Sequence, residues 1–194
     1  MLNQARPAIV SMLLFSALLG GAYPAIVTAA GGALFPAQAE GSFVRNAEGV
    51  VVGSRLIGQA TTSPGYLWPR PSAAGDGYNA AGSSGSNFGP LNSALIERVA
   101  ADAAVIRAYA PEGAIPPDAV TTSASGLDPH ISPQFAALQV DRIAQARGIK
   151  ASDVAATIAA NTEAPLLGFI GQARVNVLMT NLALDSAYPL KPAE

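Results

Sequence analysis

Apolar positions follow two patterns along the 194 residues: one unbroken run near the start, then short periodic stretches separated by Gly, Pro and Ser. Between Arg6 and Glu40 lie 33 residues without Asp, Glu, Lys, Arg or His. Nine of them (Ile9, Val10, Leu13, Leu14, Phe15, Leu18, Leu19, Ile26 and Val27) favour the bilayer by roughly 3–5 kcal/mol in total, before small opposing terms from Gly20, Gly21 and Pro24. A helix over 7–33 is about 40 Å long at ~1.5 Å per residue, against a hydrocarbon core of ~30 Å. The run therefore predicts a transmembrane helix. Pro7 suits its first turn, where a missing N–H is harmless, and Pro24 is a tolerable kink within a span.

Beyond the run the period changes repeatedly. Val50, Val51 and Val52, followed by Leu56 and Ile57, predict strand structure. Residues 60–92 are rich in Gly, Ser, Pro and Asn and show no period, as in a functional loop region. The aromatic side chains there (Tyr66, Trp68, Tyr78, Phe88) argue against disorder. Asn92 or Ser93 caps a predicted helix running to about Tyr109, with Leu95, Val99, Ala103 and Ile106 at helical spacing. Ser132 and Pro133 open a second helix that continues through Ala136, Val140 and Ile143 to Gly148. A third covers Ser152 to about Ala160, and the alternation from Arg174 to Met179 predicts a strand. These elements predict an α+β protein: a single N-terminal transmembrane helix followed by one exported mixed α+β domain. The divisions are 1–6 cytoplasmic, 7–33 spanning, 34–48 linker and 49–194 exported.

A cleaved signal peptide is the alternative, since Ala37-Gln38-Ala39 forms a small-x-small site before Glu40. Signal cores are only ~7–15 residues long, however, and this run is far longer. Arg6 precedes the span and Glu40 follows it, which predicts a cytoplasmic N-terminus. All 13 acids and 10 of the 11 bases fall in residues 40–194, giving that part a net charge of −3. With no basic patch, nucleic acid is not an expected partner. The chain has no cysteine, which removes disulfides, thiolate metal sites and cysteine nucleophiles. Only 12% of residues are charged, as in a domain whose surface is partly covered by a partner.

Three constellations carry candidate chemistry. Tyr66-Leu67-Trp68-Pro69-Arg70-Pro71-Ser72 combines rings with stiff prolines; an Arg over the Trp face would make a recognition surface, whereas the plainer reading has Trp68 in the core and Arg70 in a local ion pair. Ser83-Ser84-Gly85-Ser86-Asn87-Phe88-Gly89-Pro90 has the composition of an anion-cradling loop but lacks the ending of a Walker A motif. Asp128-Pro129-His130-Ile131-Ser132-Pro133 holds the only His. A hydrolase needs that imidazole between a carboxylate and a hydroxyl; otherwise Asp128 and Ser132 cap the next helix while His130 bonds a loop. One His and no Cys make zinc improbable. Asn176 and Asn181, set in apolar surroundings, need partners for their amides and so organise the fold. No catalytic and no metal-binding residue is expected.

Ordered blocks along the chain resemble the C-subunit family of Kdp-type potassium-transporting ATPases. They are Gly53-Ser54 with Leu56-Ile57-Gly58-Gln59; Trp68 with Arg70-Pro71-Ser72-Ala73; Tyr78-Asn79; Ser84-Gly85-Ser86-Asn87 with Gly89-Pro90; and Ser125 through Pro133. Gln139-Val140, Ala146-Arg147-Gly148, Arg174 through Leu178 and Asn181 through Asp185 complete the series. Ser84 stands where the family usually has Gly, Phe88 where it has Leu, and Gln172-Ala173 where Glu-Pro is common.

The resemblance implies a non-enzymatic accessory subunit of a potassium pump in the cell inner membrane. Its implied partners are a channel-like potassium-translocating subunit, a P-type ATPase subunit and a small membrane peptide. It also implies a catalytic-chaperone role that raises the ATP affinity of the ATPase subunit through a ternary complex with ATP. The family-implied nucleotide contacts map onto Ser84, Gly85, Ser86 and Asn87, and the expected partner interface onto Gly20, Gly21, Trp68, Arg70, Tyr78 and Asn79. This chain has neither a Thr-Val-Gly-Tyr-Gly filter nor an aspartyl-phosphate motif. An exported body would not meet cytoplasmic ATP, so any effect on ATP affinity would be a coupling between sites. The rival expectation is a secreted serine hydrolase or cell-envelope binding protein using His130.

Overall fold

A computed structural model describes residues 2–46 and 48–190. It divides into two compact units, residues 1–52 and 53–194. The first begins with helix α1 (Leu2–Ala17), a π-helical turn at Leu18–Ala22 and helix α2 (Tyr23–Leu34). Asn3–Leu34 forms one helical stretch of 32 residues, about 48 Å at ~1.5 Å per residue. It is long and apolar enough to cross a membrane, and its Leu, Ile and Phe side chains are exposed.

The π turn has a local cause. Pro24 has no N–H, and its ring would press on the carbonyl four residues earlier, at Gly20. Widening that turn relieves the clash, and the Tyr23 N–H reaches back to Leu18. Beyond Phe35 follow one short helix, α3 (Pro36–Ala39), and the paired strands β1 (Phe43–Arg45) and β2 (Val51–Ser54).

The second unit is mixed helix and strand. Helix α4 (Ser93–Tyr109) is capped by Asn92, whose Oδ1 accepts from Ala94 N at 2.9 Å. Its predicted inner face is confirmed at Ile106, which is 4% exposed. Strand β3 (His130–Ile131) leads into α5 (Pro133–Leu138) and α6 (Val140–Arg147), followed by α7 (Ala151–Ala160), β4 (Thr162–Glu163), β5 (Arg174–Asn176) and α8 (Val177–Ala187). The sheet order is β3-β5-β4, antiparallel throughout, with His130 opposite Asn176 and Thr162 opposite Val175. The core gathers Leu67, Ile131, Phe135, Ile143, Val154, Val175 and Leu184.

Two expectations need correction. The helix predicted from Ser132 to Gly148 is broken at Gln139, whose side chain is fully buried and bonded elsewhere. The strand predicted over 174–179 stops at Asn176, because the Asn176 Oδ1 accepts from Met179 N at 3.1 Å and starts α8. An N-cap there turns an alternating pattern into a helix start. The Gly148 stop holds: it adopts φ +66 and closes α6.

Candidate functional site

From Arg55 to Asn92 the only regular element is one 3-10 turn, Ala80–Gly82. Pro64, Pro69 and Pro71 lack N–H groups and cannot sustain a sheet ladder. The backbone groups of this segment must nevertheless be bonded where they are buried, and side chains from distant helices bond them. Asn181 brackets Leu67, accepting from its N at 2.7 Å and donating to its O at 3.0 Å. Gln139 does the same for Trp68, at 2.8 and 3.2 Å. Arg142 donates to Pro64 O and Tyr66 O, and Arg147 to Gly65 O, Tyr188 O and the Asp185 carboxylate. The carboxamides act as a substitute strand for a chain that has none beside it.

Trp68 sits in this frame. Its indole N–H donates to Ser63 O at 2.9 Å, and its ring meets Tyr109 edge-on at 5.5 Å. The cation over the ring is Arg142, with its guanidinium carbon 3.7 Å from the centroid. Burial lowers the Arg142 pKa to about 10, a value at which it remains charged at neutral pH. Arg70 points elsewhere: its Nη1 pairs with Asp128 Oδ2 at 3.0 Å and its other nitrogens reach Thr121 O and Thr122 O. The plainer reading holds for an ion pair, but the partner is 58 positions away and Trp68 is half-buried rather than in the core.

Around that ion pair the second cluster is built. Tyr78 donates its hydroxyl to Arg70 O at 2.7 Å, and its N–H bonds Ser72 Oγ. Burial, with the Asp128 charge, pushes the Tyr78 phenol well above its ordinary range. Tyr78 also adopts φ +55, rare for a residue with a side chain. Asp128 accepts from the His130 N–H at 3.0 Å, with His130 Nδ1 3.3 Å away. Burial opposes ionisation of Asp128, but the hydrogen bonds from the His130 ring and backbone and the Arg70 charge outweigh it, holding the carboxyl below its usual range. Gly58 and Gly126 let the loops close here: a Cβ on Gly58 would meet Tyr78 and Asp128 O, and one on Gly126 would meet Ser84 O at 2.6 Å.

The hydrolase arrangement is not formed. Ser132 Oγ donates to Asp118 at 2.8 Å and accepts from Phe135 N as the cap of α5. His130 Nε2 faces the Asn176 amide at 3.5 Å. Asp128 caps the turn into His130 rather than the helix expected of it. The cluster opens into a cleft of about 740 Å³ lined by Arg70, Asp118, Asp128, His130, Ser132 and Arg174. A more apolar groove of about 420 Å³ runs between 68–72 and α4, with Trp68, Tyr78, Val105 and Tyr109 on its walls.

The remaining predicted residues serve their own segments. In the Ser84–Asn87 loop, Ser84 N donates to Ser125 O at 3.0 Å, its hydroxyl to Gly85 O, and Asn87 adopts φ +53. Gly85 lies close against Ala124 O, where a Cβ would be 3.0 Å away, so the loop is a strap on residues 123–126. Asn79 caps the 3-10 turn through Ala81 N. Gly20 and Gly21 both lie in the π turn. Sequence reasoning missed Arg142 as the cation on Trp68; its only signal was its position three residues after Gln139, on the same helical face.

A family model for the K+-transporting ATPase, c chain, matches residues 5–186. The Potassium-transporting ATPase KdpC subunit of Caulobacter vibrioides (strain NA1000 / CB15N) is 60% identical over 189 residues, covering 97% of this chain and 96% of that one. The protein of the same name from Beijerinckia indica is 53% identical over 193 residues, 98% of each. That from Geobacter sulfurreducens is 50% identical over 189 residues, covering 97% of this chain and all of its own. The match spans both the apolar helix and the body with its side chain-held segment, and the chain belongs to the KdpC family, the c chains of K+-transporting ATPases.

Proposed function

We propose that this chain is a non-catalytic accessory subunit of an ATP-driven potassium pump, anchored by Asn3–Leu34 in the inner membrane with its body exported. The observation that carries the reading is the family match over residues 5–186, anchor and body together. The geometry supports it. The polar residues of the shared blocks (Arg70, Gln139, Arg147, Asn176, Asn181) are engaged in holding their own chain. That is the use expected of a rigid docking body. Its partners are the potassium-translocating subunit, the P-type ATPase subunit and a small membrane peptide, with Trp68, Arg70, Tyr78 and Asn79 near the docking face.

The chain acts as a catalytic chaperone by raising the ATP affinity of the ATPase subunit without itself ligating ATP. The influence travels through the anchor and the docked body as a coupling between sites. In the purified complex, omission of this chain should raise the apparent KM for ATP, and Ser86→Ala with Asn87→Ala should leave it unchanged. The exposed Ser186 reports topology: with no native cysteine, Ser186→Cys should react with an impermeant reagent in intact spheroplasts. Labelling only after lysis would overturn the exported body and revive direct ATP contact.

A further inference from the structure

The three-stranded sheet carries a protrusion that none of the above uses. From Ala164 to Ala173, between β4 and β5, there is no charged residue. The chain reverses within Leu166–Ile170, and Leu166, Leu167, Phe169 and Ile170 are 67, 75, 77 and 49% exposed. Four large apolar side chains within five residues, all facing out, mark an interaction surface. Leu167 (φ +55) and Gly168 (φ +83) are consecutive left-handed residues, as in a type I′ turn. Asn, Asp or Gly ordinarily fill such positions. A leucine there keeps the apex apolar against local preference, the kind of rule-breaking that marks function.

Four N–H groups of the tip already donate within it. Leu166 N bonds Ile170 O at 3.0 Å, Ile170 N and Phe169 N bond Leu166 O at 2.9 and 3.3 Å, and Gly168 N bonds Pro165 O at 2.9 Å. Those bonds lower the cost of leaving water, and the carbonyls of Leu167, Gly168 and Phe169, which accept none of them, limit the tip to the hydrated headgroup boundary rather than the hydrocarbon core. At the base, an exposed Arg174–Glu163 pair at 2.8 Å marks the polar limit. The same chain carries the 32-residue apolar helix, so its body is confined beside a bilayer.

We propose that the Leu166–Ile170 tip dips into the bilayer interface, with lipid acyl chains as the partner of Leu167 and Phe169. The tip is thus a second, non-spanning membrane contact of the body. The inference rests on the helix being a retained anchor and is indifferent to which side the body occupies. Phe169→Cys and, as a water-facing control on α7, Ser152→Cys are introduced into the full chain, which has no other cysteine. Each carries a nitroxide and is reconstituted in phosphatidylcholine–phosphatidylglycerol vesicles, alone and within the complete pump. Power saturation then compares access of oxygen and of a water-soluble nickel chelate. The label at 169 should favour oxygen over nickel in both preparations, at a depth of about 5–10 Å, and the label at 152 should do the reverse. Nickel access at 169 equal to that at 152 overturns the proposal, because the tip is then in water. Protection from both reagents within the pump also overturns it, because a protein pocket then covers the tip.

Discussion

Replacing Gln139 by Leu removes the bracket on Trp68 while keeping much of the side-chain volume. Three bonds go: Trp68 N to Oε1 at 2.8 Å, Nε2 to Trp68 O at 3.2 Å, and Arg142 Nη2 to Oε1 at 2.6 Å. The Gln139 site is fully buried, so water is poorly placed to substitute. Stranding a buried donor or acceptor costs about 1–3 kcal/mol. Two stranded Trp68 groups, partly offset by the added apolar burial of Leu, give an expected loss of about 2–5 kcal/mol. Gln139→Glu retains the acceptor for Trp68 N and Arg142 but turns a carboxylate oxygen onto Trp68 O in place of the donor, so it too should lower the midpoint. Urea unfolding of the full chain in detergent is followed by fluorescence of Trp68, the chain's only tryptophan. The midpoint should fall at an unchanged m value. A Leu variant within about 0.5 kcal/mol of the parent would refute the claim that side-chain amides, rather than packing alone, hold residues 63–72.

Gly126→Ala and Gly148→Ala start from nearly the same φ, +68 and +66. A Cβ at 126 meets backbone atoms at 2.6 and 2.7 Å, whereas at 148 nothing lies within 4 Å. Circular dichroism should find the first variant largely unfolded and the second weakened by only about 1–2 kcal/mol. Asp128, held below its ordinary range, contributes stability that is full above about pH 4 and is lost as the pH falls through its lower folded value. The gap between parent and Asp128→Asn in unfolding midpoint should therefore narrow as the pH is lowered below that point. His130→Ala should leave no hydrolytic activity missing, and an esterase activity in the purified chain that vanished with it would restore the hydrolase reading. Gly20→Leu with Gly21→Leu should weaken assembly of the pump while leaving membrane insertion intact; co-purification at unchanged yield would show that the π turn serves only to seat Pro24.

The apolar run, the Asn92 cap, the Ser132-Pro133 start and the Gly148 stop were legible in the sequence because each rests on neighbours within a few residues. Apolar length decides whether a helix can span, and a cap needs only the next turn's N–H groups. The ordered motif blocks were legible as a family pattern, but not as contacts. Only the tertiary structure decided what those blocks do. Leu67 and Asn181 are 114 positions apart, and Trp68 and Gln139 are 71 apart, so no local period could announce the pairs. The same distance problem hid which guanidinium covers Trp68: the sequence offered only Arg70 for the ring, but Asp128, 58 positions away, holds Arg70 and the ring is left to Arg142. Asn176 likewise continues an alternating strand by pattern, yet its amide reaches both Met179 N and Arg55 O. Local sequence sets what each segment is able to form; which backbone groups stay unpaired, and which distant side chain satisfies them, is settled only when the chain closes on itself.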